Sequence, residues 1–324
     1  MNTARLRHFV EYLAVRIVVC VLQMLRPETF HAFARLMARL CTDVVPIRRQ
    51  VLEENLRIAF PAWTSAERRD CTRRMWEHLF LFVAEVAQAP RKIHITNYRD
   101  YVVFENEREF ARCMYDGRPP IFLTAHFGAF EMLGYFAGMT GIPSYTVVRT
   151  LDNPYLERFL ARFRGATGQH LIPKEGAAQK IAEVLERGDL LGILADQYAG
   201  SKGIWVDFFG RPASTPKAIA LLALSQGVRL VVASVRRDGR PMRFRQTLHA
   251  VLDPQAAPPE PSTPRGITQW FTAEFEKFIR AEPSQYWWLH RRWKDGRKKR
   301  PTGTSESNRP AHDLRPSGGG MASE

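Results

Sequence analysis

Ile121-Phe-Leu-Thr-Ala-His126-Phe-Gly128-Ala-Phe-Glu131 reads as a strand, a tight turn and the start of a helix. Five apolar or small residues make a short buried run of strand type. A glycine-containing turn follows, and then a helix over about 130–138. Outward from this unit the same alternation continues. Strands are expected over 144–148, weakly over 170–172, and over 190–194, 230–235 and 243–248. Helices are expected over 154–164, 176–187, 215–225 and 266–280, with a Pro-rich loop over 254–264. Strands alternating with helices predict an α/β fold with a central, mostly parallel sheet flanked by helices.

Residues 1–90 have a different character and read as all helix. A short amphipathic helix over 48–60 ends at Pro61. Thr64 or Ser65 then caps a helix expected to run to about Ala89, where Pro90 stops it. Residues 9–25 are mostly apolar but interrupted by Glu11, Arg16 and Gln23. At ~1.5 Å per residue they reach about 26 Å, against a hydrocarbon core of about 30 Å. The segment either spans with its flanks snorkelling or lies in the interface, unless it is simply a buried helix. Cations on both sides give no orientation, and no small-residue cleavage site marks a signal peptide. In the next stretch Phe30, Phe33, Leu36, Met37 and Leu40 share one face, with Arg35 and Arg39 on the other. That pattern favours membrane contact for a helical region 1–90. Residues 91–300 form the α/β domain, in one fold with those helices. The tail 301–324 loses apolar content and is expected to be disordered.

The 324 residues carry 45% hydrophobic and 25% charged side chains, which excludes a mainly disordered chain and a multi-span membrane protein. The four cysteines have no CxxC spacing and fit a reducing compartment. Lys and Arg number 47 against 33 Asp and Glu, a net +14, which calls for an anionic partner. There is no GxSxG, P-loop, HExxH or GxGxxG, which favours direct transfer with His126 as base over a covalent serine mechanism. Neither a metal nor a cofactor is expected. His126 falls at the carboxyl end of a strand, where open α/β sheets bind ligands. Gly128 permits a turn tight enough for Glu131 to face back. A carboxylate on one imidazole nitrogen leaves the other able to take a proton from an attacking hydroxyl. The same spacing also suits a core histidine beside a helix cap.

His126-x4-Glu131 resembles the HX4D/E motif of the lysophospholipid acyltransferase superfamily, and is more closely similar to the HFGNWE form of the lipid A biosynthesis lauroyl/myristoyl acyltransferases. Further blocks match that family in order. They are Asn55-Leu-Arg-Ile-Ala-Phe-Pro61, Val147-Val-Arg149 with Asp152-Asn153-Pro154, and Asp196-Gln197. Val206-Asp-Phe-Phe-Gly210-Arg-Pro-Ala-Ser-Thr215 and Gln285-Tyr-Trp-Trp-Leu-His290-Arg-Arg-Trp-Lys294 complete the set. The resemblance covers about residues 8–300. It implies transfer of a fatty acyl group from acyl carrier protein, or coenzyme A, to a hydroxyl of a membrane glycolipid. The site would face the cytoplasm at the inner membrane. By the same resemblance His126 is the general base and Glu131 orients it. Arg149 binds a phosphate or the thioester oxyanion. Asp196 orients a base or an arginine, or caps a loop, and Gln197 belongs with it at the substrate. Gly210 and Thr215 suit a tight turn and a phosphate-binding helix N-cap that shape the pocket. The chain departs from the family at Ala129-Phe130, Tyr198 and Trp293. That leaves the acceptor open between lipid A, another glycolipid and an aminolipid.

Residues 291–300 hold seven cations and one acid. With Trp287, Trp288 and Trp293 beside them they read as a membrane-facing edge, or as a dock for the acidic carrier protein. A nucleic-acid-binding protein is the rival for the charge, but no zinc finger or RNP motif supports it. A relative that binds lipid without catalysis is the other alternative.

Overall fold

The computed structural model describes residues 3–115, 118, 120–256 and 262–294. The tail 301–324 and the cations after Lys294 lie outside the described residues.

The N-terminal region is helical. It comprises α1 (Thr3–Met24), α2 (Pro27–Arg39) with a π-helical turn over Leu40–Val44, α3 (Arg49–Ala59) and α4 (Ser65–Lys92). Thr64 caps α4 in a reciprocal box with Glu67, which satisfies two backbone donors of the first turn. Pro90 does not stop α4, which continues to Lys92. A proline so near the end forgoes one hydrogen bond, and Arg91 and Lys92 suit the negative end of the helix dipole.

Then follow β1 (Val102–Glu105), α5 (Glu107–Tyr115), β2 (Pro120–Thr124), α6 (Glu131–Met139), β3 (Ser144–Val148) and α7 (Pro154–Gly165). After them come β4 (Gln169–Pro173), α8 (Ala177–Glu186), β5 (Leu190–Leu194), β6 (Ile204–Phe208) and β7 (Arg211–Thr215). The last elements are α9 (Ala218–Gln226), β8 (Arg229–Arg237), β9 (Phe244–Leu252) and α10 (Pro264–Ala281). Seven strands form one sheet in the order β1-β9-β8-β2-β5-β3-β4. All neighbours pair in parallel except β8 with β9. The expected α/β class with a mostly parallel, helix-flanked sheet is the one observed.

β1, α5 and the β6–β7 hairpin are additional to the sequence reading. The hairpin turns on Phe209 and Gly210, both at positive φ, which is the two-residue geometry that matches strand twist. Phe209 tolerates it because its ring is buried among Phe60, Trp288 and Trp293, and its amide donates to Glu276 at 2.7 Å.

One face of β2 (Ile121, Leu123) packs with α9 and α10 in the largest apolar cluster. That cluster also takes in Ala38, Leu52, Leu56 and Met75 from the N-terminal helices. The other face carries Phe122 toward Val231, Ala233 and Leu248. Among the described residues no helix is long and apolar enough to cross a membrane. Of the apolar stripe on α2, Phe30 is buried whereas Phe33, Leu36 and Leu40 are exposed.

Candidate active site

β2 and β5 are adjacent and parallel, with Thr124 opposite Leu194. Two residues further along, that register sets His126 beside Asp196. The Asp196 carboxylate spans both the backbone and the ring of His126. It accepts from the His126 amide at 3.0 Å and sits 2.7 Å from Nδ1. Nδ1 therefore carries the proton and Nε2 presents its lone pair. The Gln197 amide nitrogen lies 3.2 Å from that Nε2.

The turn after His126 is braced from three directions. Gly128 has φ +58, and a Cβ there would lie 2.1 Å from the carbonyl of Val235, so only glycine fits. Its amide donates to the Gln285 carbonyl and the Trp287 amide donates to the His126 carbonyl. The Gln285 side chain clamps both backbone groups of Arg237. Behind the turn, His78 Nε2 is 3.2 Å from the Gly128 carbonyl, and Arg237 joins His78 Nδ1 to Glu85. Burial, and then the Arg237 charge, hold His78 well below its ordinary pKa. It is neutral, with Nε2–H donating to Gly128.

The electrostatics of the pair are coupled. Burial of His126, the largest single influence, pulls its pKa down. The charge and hydrogen bond of Asp196, with a smaller contribution from Glu131, carry it above the ordinary 6.5. Burial of Asp196 pushes upward, but His126 and then Arg292 bring it below the usual carboxylate value.

Glu131 opens α6 as expected, yet its carboxylate holds Arg164 in a bidentate pair at 2.7 and 3.0 Å. The carboxylate on the His126 ring is Asp196. The pairing with Arg164 follows from packing, since α7 runs beside α6 and a first-turn carboxylate at a helix N-terminus attracts a guanidinium.

His126 opens onto a cavity of about 1060 Å³. His126, Glu131, Arg149 and Gln197 all line it, and so do Arg164, Lys174, Lys202 and Lys217. The last four were not legible in the sequence as site residues, because lone cations on helices and loops carry no spacing signal. Phe130 and Trp287 wall the imidazole at ring separations of 5.1 and 5.6 Å. Ala129 is fully buried in an apolar cluster.

Two expected pocket residues lie elsewhere. Gly210 turns the β6–β7 hairpin and Thr215 ends β7, and neither lines the cavity. Helix α9 begins later than expected, at Ala218 after Lys217, so Thr215 is no N-cap. Its hydroxyl instead accepts from Arg292 at 2.6 Å.

Of the membrane-facing edge expected at the C-terminus, Arg291 and Lys294 are exposed and Trp287 and Trp293 half-buried, whereas Trp288 and Arg292 are in the core. Trp288 and Arg292 are 1% and 2% exposed, and Trp293 stacks on Phe208. Trp288 is walled by Phe60, Phe209 and Tyr286. Asn55 ties this segment down by donating to the carbonyls of Trp288 and His290, while His290 accepts from the Tyr198 amide. Asn153 caps α7 and also donates to His8 and Glu11 of α1. Asn55 and Asn153 thus tie segments of the chain together, whereas Arg149 and Gln197 line the cavity.

The chain is similar to known proteins over most of its length. The chain is 24% identical over 295 residues to a lipid A biosynthesis lauroyltransferase of Escherichia coli (strain K12), covering 89% of this chain and 92% of that one. It is 21% identical over 247 residues to a lipid A biosynthesis acyltransferase of Haemophilus influenzae, covering 75% and 74%. It is also 24% identical over 172 residues to a phosphatidylinositol mannoside acyltransferase of Mycobacterium tuberculosis, covering 52% of each. The protein is an acyltransferase. The model of the bacterial lipid A biosynthesis acyltransferases matches residues 2–295, nearly the whole described chain, and the protein belongs to that family.

Proposed function

We propose that the protein transfers a fatty acyl group from acyl carrier protein to a hydroxyl of a lipid A-type glycolipid, with His126 as general base and Asp196 as the carboxylate that orients it. The single observation that carries this reading is the 2.7 Å contact of Asp196 with His126 Nδ1 at the edge of a large cavity. The acceptor hydroxyl displaces Gln197 from His126 Nε2 and gives up its proton there as its oxygen attacks the thioester carbon. The imidazolium is stabilised by Asp196. When the C–S bond breaks, the leaving thiolate takes that proton, which yields an ester and a thiol. Gln197, the donor nearest Nε2, suits the oxyanion. Arg149, Lys174, Lys202 and Lys217 suit the phosphates of donor or acceptor. Glu131 takes Nε and Nη2 of Arg164, so Nη1 is what Arg164 can offer a substrate oxygen.

Membrane contact fits α1, in which no residue is buried. Leu6, Phe9, Val10, Leu13, Ile17, Val21 and Met24 form one exposed stripe at helical spacing, with Met24 80% exposed. Such a helix suits an in-plane position at the cytoplasmic face of the inner membrane.

The test is transfer from labelled acyl carrier protein thioesters to acceptors held in anionic vesicles. The acceptors are a lipid A precursor, a phosphatidylinositol mannoside and a lysophospholipid. Label should enter the lipid A precursor. The double variant Ile17→Asp/Val21→Asp should lose both vesicle flotation and transfer. Label entering only another acceptor would move the reading to that lipid, and none entering any acceptor would end it.

The base must be neutral to act. kcat/KM should therefore fall as pH drops through the raised pKa of His126, with its midpoint above the ordinary 6.5. A midpoint below that value would contradict an Asp196-held base.

A further inference from the structure

Gly192 lies in the middle of β5, where glycine weakens a strand and normally marks a bulge or a close approach. Neither explains it. The pairing of β5 with β2 is regular on both sides of it, and its φ is not in the left-handed region. A Cβ at Gly192 would meet only the Thr146 hydroxyl at 3.5 Å and the Tyr145 carbonyl at 3.7 Å, both ordinary contacts. Other glycines beside this cavity differ. A Cβ at Gly134 would strike the Gln169 side chain at 2.0 Å. Gly192 is thus a glycine that the protein's own packing does not require.

What lies over it is the cavity. The register sets Phe122 on one side of Gly192 and Thr146 on the other, in one row across the sheet. Both, with Leu190 and Leu194 of the same strand, line the cavity, and Leu133 and Ala137 of α6 line it as well. This part of the cavity is therefore a slot between sheet and α6. It starts near Thr124 and His126 at the carboxyl ends of the strands. It runs toward Leu190 and Phe110, whose ring meets Phe122 at 5.4 Å. At ~3.3 Å per residue, Gly192 is about 7 Å below the end of its strand, well inside the slot.

We propose that this slot holds the acyl chain of the donor and that Gly192 sets the length of chain accepted. This inference rests on the acyl-transfer reading above. A channel floored by a missing side chain takes an aliphatic chain passing over the backbone. Any side chain at that position would lie in its path.

The slot is tested without turnover, by calorimetric binding of saturated fatty acids of graded length to wild type, Gly192→Ala and Gly192→Val. Ala and Val both suit an extended strand, so neither variant should melt below wild type. Wild-type affinity should rise with chain length up to a limit. Gly192→Val should move that limit to a shorter chain and weaken the longest ligand by about ten-fold or more, with Gly192→Ala between them. Transfer from the matching acyl carrier protein thioesters should shift in the same direction. Unchanged length dependence in a folded Gly192→Val, or no fatty-acid binding by wild type, would overturn the proposal. Length-dependent binding without any transfer by wild type would instead count against the acyl-transfer reading while leaving the slot in place.

Discussion

Replacing His126 with alanine should leave a folded protein that transfers acyl groups about 10²- to 10⁴-fold more slowly, the usual contribution of a positioned general base. The ring is partly exposed at the cavity edge and contributes little to the core, so the fold should persist. The buried Asp196 loses the ring as partner and keeps the backbone amide and the Arg292 charge, so the melting temperature should drop. Undiminished turnover would remove His126 from the mechanism. The two carboxylates are told apart by pH rather than by size of loss, since both variants should be impaired. Asp196→Asn removes the charge that opposes burial, so the pH midpoint of kcat/KM should move below the ordinary 6.5. Glu131→Gln removes only the smallest of the influences on His126 and frees Arg164. Its midpoint should stay close to wild type while KM rises. A Glu131→Gln profile that shifts as far as that of Asp196→Asn would return the orienting role to Glu131.

The second large effect is on stability. Glu85 is wholly buried, and both of its oxygens are held by Arg237, which also contacts His78. Arg237→Met leaves a buried carboxylate without its partner, and such a change costs about 3–5 kcal/mol. Thermal unfolding should move down by on the order of 10 °C. The double variant Glu85→Leu/Arg237→Met removes the stranded charge together with its partner and should recover most of the loss. Because His78 links this pair to the Gly128 carbonyl, the single variant should also lose activity at temperatures where it remains folded. A melt within about 0.5 kcal/mol of wild type would show that the pair is not needed.

Features that depend on neighbours along the chain could be read from the amino acids alone. Strand β2, the glycine turn and α6 were legible because strand period, positive φ and helix capping are local properties. The Thr64 cap, the Asn153-Pro154 start of α7 and the strands 144–148 and 190–194 were legible for the same reason. His126 as the proposed base came from that local pattern together with the family blocks. Tertiary structure decided which groups meet. Asp196 reaches His126 across 70 positions because β5 pairs with β2 in one particular register. Neither residue's surroundings encode that strand order. Glu131 pairs with Arg164 instead of His126 because α7 packs beside α6. Thr215 serves Arg292 because β7 folds back on β6. Trp288, which has the composition of an interfacial residue, is buried because Phe60, Phe209 and Tyr286 surround it. Local sequence limits the conformations each segment can adopt. The choice of distant partner is made by the shared burial of faces that belong to different segments, and that burial exists only once the sheet has formed.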